Sequence, residues 1–305
     1  MTPLFSVIIP VFNRADVLEQ AIRSVLAQAC QDFEIIVVDD GSSDHPEQVV
    51  EAIGDPRIRV VRKENGGGAS ARNRGFDEAR GRFVALLDSD DHFLPHHLEN
   101  MRLLLENTQN TVGYARMVVD RGNGVTLLKP PRAIRPGEHM ATYLLCDRGF
   151  VPTITVALPA DIARKVRYGG EWRVAEDTDF AIRLFLAGCE FRMIEEPGAV
   201  WDDTYNPNRT SSGRKGTRLI PWIEQIRPLI PARAYYGARG WPIAKGVAVD
   251  RPWTALRYYL TALMRGCYAP RLAAVIFLQI FLPDGVYRRI ADRAIPFVPN
   301  RGVST

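Results

Sequence analysis

Cysteine is sparse. Cys30, Cys146, Cys189 and Cys267 stand far apart in 305 residues, and no two form a CxxC pair. That pattern excludes a disulfide-stapled scaffold and a zinc ribbon, and it implies reduced thiols in a cytosolic setting. Long hydrophobic runs are missing too: the longest, Leu272–Leu282 (LAAVIFLQIFL), is too short to cross a bilayer. The opening MTPLFSVIIP has neither a basic start nor a long apolar core, as expected of a chain without a secretory signal. No segment repeats and none is of low complexity. What remains is a soluble globular composition, 46% apolar and 24% charged, in one domain or one and a half.

Acidic residues are also missing from one region. Residues 207–305 hold 16 Lys and Arg against 4 Asp and Glu, a net charge of +12, whereas residues 1–206 hold 23 against 31, a net charge of −8. A basic C-terminal third calls for an anionic partner, membrane lipid or nucleic acid. No nucleic-acid module is recognisable, so nucleic acid is not expected. Trp253, Tyr258 and Tyr259 interleave with the basic residues. One expectation is therefore peripheral contact with an anionic membrane, on its cytoplasmic face, in an otherwise cytoplasmic protein. The alternative is that these helices pack internally or form a homodimer contact.

Over the first 120 residues, strand and helix patterns alternate. Apolar runs at Ser6–Pro10, Glu34–Val38, Arg57–Val61 and Arg82–Leu87 are interleaved with helical patterns near Ala15–Ala29, Pro46–Ile53, Ala69–Ala79 and Leu94–Asn107. Continuously apolar strands between helices imply an α/β fold with a mainly parallel sheet covered on both faces. Ligands then bind beyond the carboxyl ends of the strands, which places Asn13, Asp39, Asp40 and Asp88–Asp91 on one rim. Further on, Gly122–Gly124 reads as a turn, Thr153–Leu158 as a strand and Val174–Ala187 as a helix. Asn206–Gly216 reads as a mobile loop, and Leu219–Ile230, Trp253–Arg265 and Leu272–Leu282 as helices.

Four stretches carry chemistry. In VVDDGSSD (Val37–Asp44) the plain reading is a turn in which Asp44 caps the next helix. Asp40 can instead accept the N3–H of uracil or thymine, a proton cytosine lacks. In VALLDSDDHF (Val84–Phe93) a buried strand runs into Asp88, Asp90 and Asp91, like charges that are costly unless something cationic compensates them. Either they are solvated loop acids or they form a divalent-cation site that meets a nucleotide diphosphate. Mg²⁺ and Mn²⁺ prefer such hard oxygen ligands. The nearby His92, His96 and His97 read mainly as the solvent-facing start of a helix. In AEDTDFAIRLFLAG (Ala175–Gly188) Glu176, Asp177 and Asp179 either complement the helix dipole or supply a general base. NGGGASARNRGF (Asn65–Phe76) matches neither the dinucleotide nor the P-loop fingerprint; its helix N-terminus and Arg72 can still contact ribose or phosphate.

In order and spacing, SVIIPVFNRADVLEQAIRSVLAQ, DFEIIVVDDGSSD, NGGGASARNRGFDEARGRFVALLDSDDHFLP and AEDTDFAIRL resemble the inverting glycosyltransferases of family 2, which have the GT-A fold. The resemblance spans about residues 4–205 and implies a catalytic domain over 1–205, followed by a basic helical extension over 206–305. It places Pro10, Val11 and Asn13 around the base, Asp40 on the uracil edge and Arg72 near the ribose or diphosphate. The family's D-x-D motif falls on Asp88, toward the ribose, and Asp90, toward a Mn²⁺ or Mg²⁺ ion and the diphosphate, with Asp91 as an alternative metal ligand. Its catalytic base maps to Asp177. The implied partners are a nucleotide-sugar donor, a UDP-sugar above others, and a glycan or lipid-linked acceptor. The Q-x-x-R-W motif of the processive synthases is missing, which argues against processive polymerisation. Two rivals are weaker. A nucleotidyltransferase normally carries a G-x-G-T-R loop where PVFNR stands, and a non-catalytic relative would have lost the acids.

Overall fold

The computed structural model describes residues 2–122, 126–170, 174–203 and 216–294. The chain divides into two compact units. The first comprises Met1–Val119, Leu128–Met140 and Gly149–Asp203; the second comprises Asp120–Leu127, Ala141–Arg148 and Thr204–Thr305. Two short internal segments, Asp120–Leu127 and Ala141–Arg148, therefore group with the C-terminal region. The strands are β1 (Phe5–Val11), β2 (Phe33–Asp39), β3 (Ile58–Arg62), β4 (Phe83–Leu86), β5 (His92–Phe93), β6 (Thr111–Asp120), β7 (Thr126–Lys129), β8 (Ala157–Pro159) and β9 (Glu190–Asp202). The helices up to β9 are α1 (Ala15–Leu26), α2 (Pro46–Ile53), α3 (Gly68–Glu78), α4 (His97–Leu105), α5 (Met140–Cys146), α6 (Ala160–Val166) and α7 (Glu176–Leu186).

The strands form one sheet in the order β3-β2-β1-β4-β8-β6-β9-β5, with β7 beside β6. Every residue of β2 and β4, and all but Pro10 of β1, is buried, as strands covered on both faces must be. The pairs from β3 to β4 are parallel. The β4–β8, β8–β6 and β9–β5 pairs are antiparallel, so the sheet is mixed rather than mainly parallel. In register, Val11 lies opposite Asp39, and Ile8 opposite Leu86. The carboxyl ends of three adjacent strands thus share one rim, where Asn13, Asp40 and Asp88 follow. Helix α3 lies directly on β1 because Gly75 has no side chain; a Cβ there would stand 2.4 Å from Ile8 Cγ2.

Thr153–Leu158 is not a single strand. Thr153–Thr155 is a 3₁₀ turn and pairing begins at Ala157. The Thr155 hydroxyl bonds the carbonyls of Pro152 and Ala115, a local option that competes with the ladder. The turn read at Gly122–Gly124 falls largely outside the described residues, as does Asn206–Gly216 apart from its last residue.

In the second unit, α8 (Leu219–Ile226), α9 (Ala232–Ala238), α10 (Ala244–Val247), α11 (Pro252–Met264), α12 (Pro270–Phe281) and α13 (Asp284–Ala294) follow one another. The helix expected over Leu219–Ile230 tightens into a 3₁₀ turn at Arg227–Leu229, where Pro228 cannot donate to the helical ladder. A π turn at Arg239–Ile243, containing Pro242, joins α9 to α10. Small residues (Ala244, Ala255, Ala262, Ala273) alternate with Tyr259, Tyr268, Ile276 and Ile280 in this unit's core. Among the described residues no helix is long and apolar enough to cross a membrane.

One buried group sets an acid limit on the first unit. His97, read above as solvent-facing, is 1% exposed, packs 4.4 Å from the Phe93 ring and leaves both ring nitrogens without a hydrogen-bond partner among the described residues. Burial pulls its pKa down to about 3. The folded chain therefore holds His97 neutral, while the unfolded chain protonates it near pH 6.5. Stability is complete above that value and falls as pH drops toward 3, by about 1.4 kcal/mol per pH unit from this group. Urea unfolding between pH 7.5 and 4.5 is expected to show a shallower acid slope for His97→Leu than for the wild type. Equal slopes would assign the acid sensitivity to other groups.

Candidate active site

The rim is built on hydrogen bonds between separate loops. Asn13, held at φ +51°, donates its backbone N–H to Ser42 Oγ at 3.0 Å and accepts from Ser43 N at 2.8 Å through Oδ1. Asp44 Oδ2 accepts Ala15 N–H at 2.8 Å, so it caps α1 across the rim and not the helix that follows it. The Val11 side chain is buried and its carbonyl accepts Asp40 N–H at 2.9 Å; Pro10 beside it is partly exposed. Asp40 is 3% exposed. Its Oδ1 accepts Lys63 Nζ at 2.6 Å and Gly66 N at 2.9 Å, and its Oδ2 accepts Gly67 N at 2.7 Å. Asp40 thereby fastens the glycine loop that opens α3. A carboxylate has about four acceptor positions, so Oδ2 keeps capacity for one further donor.

A second cluster joins α3, the end of β4 and the start of α7. Arg72 is buried and donates through Nη2 to Asp88 Oδ1 at 2.5 Å, with Glu176 Oε2 at 3.8 Å from Nη1 and the Tyr168 ring centre 5.3 Å away. Burial works against the Arg72 charge, and Asp88, Tyr168 and Asp177 more than restore it, holding its pKa above the ordinary value. Arg72 Nε is buried without a hydrogen-bond partner among the described residues. Asp177 is partly exposed and hydrogen-bonds Thr153. Burial pushes its carboxyl above the usual carboxylate range and Asp88 adds to this, while Arg72 and the Thr153 bond pull it down. Glu176 shifts upward for the same leading reason. Asp179 instead points to Arg183 Nε at 2.5 Å, an i,i+4 pair within α7. A stack of Phe76, Tyr168 and Phe180 holds the base of α7 against α3.

The aspartate cluster is compensated by guanidinium groups from elsewhere in the chain. Asp88 pairs with Arg72 and Asp90 with Arg14. Asp91 is 4% exposed, and its Oδ1 accepts Asp202 N–H at 3.3 Å at the end of β9. No group of three His, Cys, Asp or Glu side chains is gathered as a metal cluster among the described residues. Of the two acids expected to meet a cation, Asp90 is a hard carboxylate with its side chain 27% exposed, whereas Asp91 is buried. Asp90 fits the pattern in which Mg²⁺ or Mn²⁺ takes one or two carboxylates and completes its shell with substrate phosphates and water. His92 lies 3.4 Å from the Gln20 amide and His97 is buried against Phe93, so the three histidines form no common site.

Reading the residues in sequence missed Arg14, Lys63, Thr153 and Tyr168, which hold the acids in place. Arg14 and Lys63 follow motif residues closely enough to have been suspected; Thr153 and Tyr168 carry no local signal.

Residues 6–154 match the family model "Glycosyl transferase family 2". The chain is 27% identical over 260 residues to the amylovoran biosynthesis glycosyltransferase AmsB of Erwinia amylovora, covering 81% of this chain and 85% of that protein. It is 44% identical over 228 residues to the uncharacterized glycosyltransferase EpsJ of Bacillus subtilis (68% and 63%) and 32% identical over 194 residues to the succinoglycan biosynthesis protein ExoO of Rhizobium meliloti (63% and 51%). It therefore spans only about half to two thirds of the last two. Among solved structures, S. aureus TarS 1–349 in complex with UDP-GlcNAc superposes with a TM-score of 0.64 at 17% identity, covering 96% of this chain and 91% of that one. The mannosyltransferase PcManGT of Pyrobaculum calidifontis, in complex with GDP-Man and Mn²⁺, gives 0.57 at 16% identity, covering 97% and 86%. These two likenesses establish the GT-A-like fold. Through residues 6–154 the chain matches glycosyl transferase family 2, and its fold is that of the GT-A-like glycosyltransferases.

Proposed function

We propose that this family 2 glycosyl transferase moves a sugar from a UDP-sugar to a hydroxyl of a glycan or lipid-linked acceptor, inverting the anomeric carbon. The observation that carries this reading is the meeting of Asp177, a carboxylate held above its usual pKa, with the Arg72–Asp88 pair at the carboxyl end of β4. Pro10, Val11 and Asn13 shape the base end of the rim, and Asp40 Oδ2 accepts the uracil N3–H while its other contacts keep the glycine loop closed. Arg72, whose Nε has no hydrogen-bond partner among the described residues, turns that donor toward a ribose or diphosphate oxygen. Asp88 meets the ribose. Asp90, the more exposed of the last two acids, is the better ligand for Mn²⁺ or Mg²⁺, and Asp91 ties the loop to β9. The cation, when bound, supplies charge stabilisation to the diphosphate leaving group. Asp177 removes the acceptor proton, and in-line attack gives a β-bond from an α-linked donor without a covalent enzyme intermediate. The names of AmsB and ExoO support an acceptor in polysaccharide biosynthesis.

Peripheral contact with an anionic membrane belongs to the same reading. Trp253, Arg257, Leu260 and Met264 share one face of α11, with Trp253 81% and Met264 80% exposed. An exposed apolar face flanked by arginines in a unit of high positive charge matches an acidic lipid surface better than an acidic protein groove.

Three measurements follow. For the base, Asp177→Asn is expected to leave UDP affinity nearly unchanged and to lower transfer by about 10²–10⁴-fold. In the wild type the acidic limb of kcat/KM is expected at a pH above the ordinary aspartate value near 3.9, because Asp177 must be ionised and its pKa is raised. UDP release from a panel of UDP-sugars reads both effects; transfer within threefold of wild type would move the proton to another group. For the nucleobase, calorimetry is expected to show UDP binding tighter than CDP, with the difference lost in Asp40→Ala. Equal wild-type affinities would remove Asp40 from that role. For the surface, sedimentation with liposomes should rise with anionic lipid, fall with salt and weaken in Trp253→Ser/Met264→Ser. A salt-independent result, or a homodimer that buries this face, would refute membrane contact.

A further inference from the structure

Arg14 and Arg72 both pair with an acid of the aspartate cluster, but their surroundings differ. Arg72 is 8% exposed, lies against Tyr168 and has Glu176 as a second carboxylate. Arg14 reaches Asp90 from a position 76 residues earlier, and 36% of its side chain is exposed. Its backbone is fixed on both sides, by Asn13 on the Ser42–Ser43 turn and by Ala15 on Asp44. The Arg14 side chain is thus a long, partly exposed arm whose root is held by its neighbours.

We infer that Arg14 is a charge-exchange residue: it occupies the carboxylate on which a divalent cation must land, and moves from Asp90 to the donor's diphosphate when the cation arrives with the nucleotide. This rests on the reading of Asp90 as a ligand of that cation. The physical case is competition for one acceptor. A guanidinium and a divalent cation cannot both sit close on Asp90 without strong like-charge repulsion. The displaced guanidinium has an alternative partner in the donor's diphosphate, because its planar fork matches phosphate oxygens bidentately. Two consequences follow for the chain. Arg14 weakens binding of the cation alone, since Asp90 must first be released. It strengthens binding of nucleotide and cation together, since its charge then counters the diphosphate. Arg14 therefore makes the two ligands bind cooperatively.

The test uses the full chain and reads binding, not turnover. Mn²⁺ alone is titrated against wild type, Arg14→Ala and Arg14→Lys by electron paramagnetic resonance; UDP is then titrated at saturating Mn²⁺ by calorimetry. Arg14→Ala is expected to bind Mn²⁺ alone about two- to fivefold more tightly, the size of a partly exposed ion pair. The same variant is expected to bind UDP in Mn²⁺ about tenfold more weakly, the loss of a charged hydrogen bond. Arg14→Lys is expected to recover part of the UDP affinity. Unchanged Mn²⁺ affinity, or unchanged UDP affinity, in Arg14→Ala overturns the inference. Asp90→Asn separates the two levels of the argument. If it leaves Mn²⁺-dependent UDP binding intact, the ligand reading fails and the inference with it. If it weakens that binding while Arg14→Ala changes nothing, the ligand reading stands and only the exchange is wrong.

Discussion

The ion pair between Arg72 and Asp88 is the constraint on which the site depends. Three pieces of chain that share no local sequence meet there: α3, the loop after β4 and the first turn of α7. A buried guanidinium without a carboxylate costs several kcal/mol. Arg72 therefore requires Asp88, and the aromatic stack of Phe76, Tyr168 and Phe180 holds α7 against the helix that carries Arg72. Glu176 and Asp177 enter the same field because they open the helix that Phe180 anchors. Asp88, Glu176 and Asp177 thus form one electrostatic unit around Arg72, divided among segments only by the order of the chain.

Much of this was legible in the residues. The buried strands β1, β2 and β4 announce themselves as continuous apolar runs, because a strand covered on both faces has no polar side to show. Helix α2 matches its expected bounds, since Pro46 opens it and Gly54 closes it in the left-handed region. The rim position of Asn13, Asp40 and Asp88 follows from the strand ends alone. The sequence also poses the question of what neutralises Asp88, Asp90 and Asp91, and a cation was the natural answer. Guanidinium groups and a backbone N–H supply the compensation within the chain, and a cation on Asp90 would have to displace Arg14.

What stayed hidden was set by contacts distant in sequence. Strand β9 reads as polar, EFRMIEEPGAVWD, because most of its residues are not buried and the short partner β5 needs only Ala199 and Val200 from it. His97 looks like a helix-start polar residue, yet β9 passes so close at Gly198 that a Cβ there would stand 2.2 Å from His97 Nδ1. Thr153 and Tyr168 belong to irregular chain between β6 and α7, and only folding shows that their hydroxyls bond one another and that Thr153 also bonds the base candidate. Periodicity cannot report such contacts, since none has a fixed spacing.

The shared field also links donor binding to base strength. Burial raises the Asp177 carboxyl, and Arg72 is the strongest influence pulling it back down. On the proposed reading, a diphosphate or ribose oxygen at Arg72 Nε draws on the same guanidinium charge. Part of the positive field that holds Asp177 low is then spent on the donor, and the carboxylate gains proton affinity once the donor is seated. A general base is most effective when its pKa approaches the working pH. The arrangement therefore favours proton removal after the donor has bound, with no moving part beyond the guanidinium that binds it.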